Sequence, residues 1–205
     1  MLKHLGNDIV DIFQTKRDSN WQRKGFLEKI FSPSEQELIT DASDPFLTVW
    51  RLWSMKESAY KLYLQQGATR FFNPLKVNCE IFSAEDGKAT IADCHMATKT
   101  EITHSYIYST AFEKPSQLPH SCIFALPADS ATHQQLFSYQ QLFNFIEVAS
   151  GIDQGQLRIK KTKEGVPELF YKDHKIAVSF SLTHHGKYGA FAVGNLPILL
   201  AKCIT

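Results

Sequence analysis

The stretch WRLWSMKESAYKLY, residues 50–63, sets Lys56, Glu57 and Lys61 among two tryptophans, two tyrosines and a methionine. On a helix, Phe46, Trp50, Trp53, Tyr60 and Leu64 recur at steps of three and four, a stripe that normally faces a core, and Glu57 falls in its middle. A second stripe of Val49, Leu52, Ala59 and Tyr63 runs through Lys56. Desolvating an ion is expensive, so each of these charges calls for a partner. One solution is an internal ion pair between Glu57 and Lys61 at i,i+4. The other is a metal or phosphate site.

Outward from this segment, helix starts are well marked. In SPSEQEL, Ser32 is an N-cap, Pro33 follows and Glu35 completes a capping box; in DPFLTVWRLW, Asp44 caps and Pro45 opens the helix that carries the three charges. Beyond QQGATRFFNP the pattern turns strand-like: LKVNCEIF, a turn at Asp86-Gly87, KATIADC and TEITHSYIYSTAF. The best linker is EKPSQLP from residue 113, after which the order repeats. QQLFSYQQLFNFIEVAS reads as a helix, GQLRIKKT and PELFY as strands around a Glu164-Gly165 turn, and IAVSFSLTHHGKYGAFAV as a hairpin. Thr-His stands near a strand end in both halves. The expected fold is α+β: two similar units, residues 1–113 and 121–205, each a long helix packed on a small antiparallel sheet as in a pseudo-dimer.

Chain-wide properties narrow the function. The sequence is 43% hydrophobic over 205 residues, enough for a core without staples. A formal net charge of +1 provides no electrostatic case for nucleic acid or an anionic membrane as main partner, so any anion site is local. Cys79, Cys94, Cys122 and Cys203 form no CxxC pair, and MLKHLGNDIVDIF has no signal-peptide apolar run; a cytoplasmic protein is expected. No apolar run is long enough to span a bilayer.

GxxxxGK[ST] and GxGxxG are absent, and zinc spacing is absent too. What remains is carboxylates and bases. LGNDIVDI reads as a strand in which Asp8 sits among apolar neighbours. Alone, Asp8 is more often a turn or capping residue; beside a buried Glu57 it suits Mg²⁺, which takes few protein ligands and completes its shell with water and substrate phosphate. Lys61, one turn from Glu57, would meet a phosphate oxygen. Thr183, His184 and Lys187 form a second candidate, an anion-binding corner. In RIKKTKEG, Arg158, Lys160, Lys161 and Lys163 read mostly as a solvated hairpin.

LGND at 5–8, WSMKESAYK at 53–61, FLEKIFSPSEQEL between them and the FSLTHHG strand together resemble the 4'-phosphopantetheinyl transferase superfamily. The resemblance implies transfer of the phosphopantetheine arm of coenzyme A to a serine of an apo acyl or peptidyl carrier protein, with Mg²⁺ on the pyrophosphate. It implies Asp8 and Glu57 as metal ligands, Lys56 and Lys61 on the phosphate side, and His184, with Thr183 in place of the usual serine, near the 3'-phosphate. Length and duplication resemble the surfactin-type enzymes, monomers of two units. The motif order resembles the short, trimeric carrier-protein synthases or a circular permutation of the long type. Asn7 replaces an apolar residue, Val10 stands where the long type has a third acid, and Val166 replaces the lysine of Gly-Lys-Pro, a contact that Lys163 would supply. Those losses motivate the alternative, a non-catalytic coenzyme A or carrier-protein binding module. A metal-dependent phosphohydrolase is a third reading. Lys16, Arg17, Arg23 and Lys24 around Trp21 would dock an acidic carrier.

Overall fold

A computed structural model describes residues 2–71, 73–114 and 118–194. Cys203 and the centre of the expected linker lie outside the described residues. Strand β1 (Leu5–Asp11) leads into α1 (Ile12–Asp18), α2 (Phe26–Ile30), α3 (Pro33–Thr40) and the long α4 (Pro45–Gln65). A 3-10 turn, Pro74–Lys76, then precedes β2 (Val77–Ile81), β3 (Asp86–Ile91), β4 (Cys94–Ile102) and β5 (Tyr106–Phe112). The strands form one antiparallel sheet in the order β1-β5-β4-β3-β2 with α4 across it.

The second unit repeats the order. It runs β6 (His120–Ala125), α5 (Ala131–Ser150), a 3-10 turn Gln154–Gln156, β7 (Leu157–Lys161), β8 (Pro167–Tyr171), β9 (His174–Lys175), β10 (Phe180–His185) and β11 (Tyr188–Val193). Here the sheet is split into β10-β11-β6 and β7-β8-β9. The break falls after the two-residue β9, where residues 176–179 leave the ladder. The fold is thus α+β, two similar units each with a long helix and antiparallel strands. Each unit has its own core: Val49, Leu52, Met55, Ala59 and Leu62 of α4 anchor the first, Leu142 and Ile146 of α5 the second. Between them, Leu5, Phe112 and Ala192, then Ile9, Tyr108 and Ala190, fill the junction.

Both expected caps form. Ser32 Oγ accepts from the Glu35 amide while Glu35 Oε2 accepts from the Ser32 amide, and Asp44 accepts from Leu47. Two expectations are corrected. The stripe through Lys56 is the deepest on α4, with Val49, Leu52 and Ala59 fully buried, whereas Phe46, Trp53, Tyr60 and Leu64 beside Glu57 are only half-buried. Asp86 and Gly87 open β3, with the turn before them, and a side chain at Gly87 would meet Glu80 O at 2.6 Å and Met55 Cε at 2.7 Å. Asn7 is fully buried, and its Nδ2 donates to Tyr108 Oη, which donates to Ser121 Oγ across the junction. Among the described residues no helix is long and apolar enough to cross a membrane.

Candidate active site

Gly6 determines where β1 lies. A Cβ there would sit 1.9 Å from Ser58 O and 2.9 Å from Leu62 N, so only glycine lets the strand backbone rest on the α4 backbone. Ser54 Oγ donates to Asp8 O at 3.2 Å and fixes the register. Asp8 is thereby delivered to the face of α4 that carries Lys61. Lys61 Nζ donates to Asp8 Oδ1 at 3.1 Å and to Asn7 O at 2.8 Å. From the second unit, Thr183 Oγ1 donates to the same Oδ1 at 3.1 Å. The Asp8 carboxylate therefore sits at the junction, held from both sides, and its side chain is only 12% exposed.

Glu57 is different. It is half-buried and takes no hydrogen bond or ion pair among the described residues, because Lys61 turns to Asp8 instead of pairing along the helix. Burial raises its carboxyl above the ordinary range and the Asp8 charge raises it further, against the opposing pull of Lys61. A pair of carboxylates, one of them unpaired and disfavoured as an anion, is an arrangement that a bound cation would relieve. Among the described residues no group of three or more His, Cys, Asp or Glu could hold a metal. Two carboxylates are the kind of donor that Mg²⁺ takes, with few protein ligands, and they lack the nitrogen and sulfur donors of a zinc site.

A cavity of about 190 Å³ opens beside Lys61 and runs between the units. Lys61, Thr183, His184, Lys161, Val166 and Tyr139 are among its walls. His184 is held below the ordinary imidazole value, first by desolvation and then by the charges of Lys61, His185 and Lys161. An anion entering this cavity would meet cations from both units.

Not every expected residue is here. Lys56 is only 2% exposed; it pairs with Glu35 at 2.8 Å and donates to Val77 O and Pro74 O. The Cys79 amide donates to Glu35 Oε1 at 2.8 Å, so this buried group ties α3, α4 and β2 together, away from Asp8. Lys163 is 91% exposed on the β7–β8 turn near Glu164. The Lys187 side chain is exposed and does not line the cavity, while its backbone N–H donates to Asp11 Oδ2. Val10 is buried in the first core. Arg17 pairs with its neighbour Asp18 on α1, and Trp21 is half-buried against the first core.

Two residues with a part in the site were given less weight by the sequence. Lys161 lines the cavity, although a lysine in a basic hairpin reads as solvated. Asp11 caps α1 through Gln14 and clasps the β10–β11 turn, where a side chain at Gly186 would meet Asp11 Oδ2 at 2.3 Å. The Asp11 amide also donates to His185 Nδ1 at 2.9 Å, next to His184. Alternation in LGNDIVDI was the available signal, since it puts Asp11 on the Asn7 face, opposite Asp8.

No curated protein sequence matches the chain. Among solved structures it is similar to the holo-[acyl-carrier-protein] synthase of Thermotoga maritima, at 13% identity over 82% of each chain with a TM-score of 0.43. The family model for the 4'-phosphopantetheinyl transferase superfamily matches residues 4–121, which include Asp8, Glu57 and Lys61. That is more than half of the sequence, and the chain belongs to the 4'-phosphopantetheinyl transferase superfamily.

Proposed function

We propose that the protein transfers 4'-phosphopantetheine from coenzyme A to a serine hydroxyl of an acyl or peptidyl carrier protein, in the cytoplasm and as a monomer of two units, 1–113 and 121–205. The observation that carries this reading is Asp8 held at the junction by Lys61 of one unit and Thr183 of the other, both of which line a cavity that reaches His184, with the unpaired, half-buried Glu57 close enough to feel the Asp8 charge. Family membership supports the reaction class. Mg²⁺ held by Asp8 and Glu57 would neutralise the pyrophosphate and polarise the phosphoryl group.

The chain's own residues do the rest. Thr183 and Lys61 orient the Asp8 carboxylate. Lys61, on the cavity wall, offsets charge on the leaving 3',5'-ADP. His184 meets the 3'-phosphate, whose charge favours the protonated imidazole against the desolvation and the Lys61, His185 and Lys161 charges that hold it low. The serine oxygen forms its bond to phosphorus as the pyrophosphate P–O bond breaks, and the serine proton passes to Glu57 or to water.

The test is release of 3',5'-ADP from coenzyme A in the presence and absence of an apo carrier protein. Release that requires the carrier supports transfer. Binding of coenzyme A without release across a panel of carriers would point to the non-catalytic module, and phosphate release without any carrier to a hydrolase.

A further inference from the structure

Asp11 is 2% exposed and forms no ion pair among the described residues. Burying a carboxylate without a counter-ion is expensive, so its place asks for a reason beyond capping the seven residues of α1. Its Oδ1 accepts from the Gln14 amide of α1 at 3.0 Å, and its Oδ2 from the Lys187 amide of the β10–β11 turn at 2.9 Å. The Asp11 amide in turn donates to His185 Nδ1 at 2.9 Å, so that nitrogen carries no proton. Two bonds of opposite sense thus clasp the end of β1 to the end of β10. They finish a series. β1 and β10 are edges of separate sheets, and side chains at alternate positions of β10 tie them together: Ser181 Oγ accepts from the Asn7 amide at 3.2 Å, Thr183 Oγ1 donates to Asp8 Oδ1 at 3.1 Å, and His185 is the third. His184 stands between the last two ties.

We propose that Asp11 and His185 are positioning residues: their reciprocal clasp holds the end of β10 against β1 and so sets the reach from Asp8 of one unit to His184 of the other. The inference rests on the coenzyme A reading above, in which one substrate spans both residues. Neither Asp11 nor His185 touches the substrate; each acts through His184. Without the clasp, Ser181 and Thr183 still tie the strands, and the edge contact of Tyr106 with Tyr188, 5.3 Å between ring centres, still holds the turn. The variants should therefore fold and lose alignment, which costs most for a substrate that must meet both units at once.

The experiment measures kcat/KM for carrier modification with coenzyme A and with its 3'-dephospho form, which cannot engage His184 through that phosphate. Asp11→Ser keeps a good N-cap for α1 but is too short to reach the Lys187 amide, and His185→Leu removes the acceptor. Each should lower kcat/KM with coenzyme A by on the order of tenfold and with the dephospho form by no more than roughly twofold. His185→Asn, whose Oδ1 can accept where Nδ1 does, should restore most of the loss. In a His184→Ala background the first two substitutions should cost little more, since they act through that residue. A thermal melt checks folding, and an unfolded His185→Leu is replaced by His185→Ala. Full activity of both clasp variants on coenzyme A, or equal losses on the two substrates, would overturn this inference alone. A wild type that modifies no carrier with either substrate would overturn the transfer reading and this inference with it.

Discussion

Glu57 and its neighbour Lys56 show why adjacent charges on one helix have separate fates. They lie about 100° apart around the axis, so one is fully buried and the other only half-buried. Lys56 finds a buried counter-ion and Glu57 finds none. A carboxyl whose folded pKa is raised keeps its proton where the unfolded chain has already released it. Stability then falls as pH climbs from the unfolded value, about 4.5, through the folded one, and the penalty is complete above that. Glu57→Gln should therefore raise the melting temperature of the metal-free protein at neutral pH and change it little near pH 4. Added Mg²⁺ should raise the melting temperature of wild type at neutral pH and leave the variant's unmoved. Equal shifts in the two proteins would remove Glu57 from the cation site. That Glu57 is unusual was legible from its apolar neighbours. That Lys61 prefers Asp8 was not, because the partner arrives from a strand more than fifty residues earlier.

At the scale of elements, β1 and α4 carry the site, and their contact depends on two features. The Gly6 approach is too close for any side chain, so Gly6→Ala should separate strand from helix, lowering the melting temperature and the transfer rate together. Full activity in a stable Gly6→Ala protein would contradict that geometry. The Lys56–Glu35 pair is the second feature. Removing one member of a fully buried pair strands the other charge at about 3–5 kcal/mol, so Lys56→Ala should melt at a markedly lower temperature. A Lys56→Ala protein that keeps its melting point and loses only turnover would return Lys56 to the phosphate side. The capping box was legible from Ser32 and Glu35 alone. Glu35's second role was not, since it accepts from Lys56 and Cys79 through contacts that only tertiary packing creates. Strand β6 was missed because His120 and Ser121 are exposed and its partner β11 lies far along the chain. The short α1 and α2 have too few turns to display a period.

At the scale of the molecule, the repeated order of parts was legible because helix and hairpin patterns recur in sequence, and the split of the second sheet was not. Residues 176–179 look as strand-like as those around them, but they leave the ladder after the two-residue β9. A site assembled from Asp8 and Lys61 of one unit and Thr183 and His184 of the other needs no second chain. Sedimentation should accordingly find a monomer, and an obligate trimer would contradict the two-unit account. The central claim is transfer that depends on the Asp8–Glu57 pair and its cation. Its most direct test is the intact mass of an apo carrier protein incubated with coenzyme A and the enzyme, in Mg²⁺ or in a chelator, beside Glu57→Gln. The account predicts a gain of one phosphopantetheine with wild type in Mg²⁺ and no gain in the chelator or with the variant. The same gain in all three reactions would contradict it.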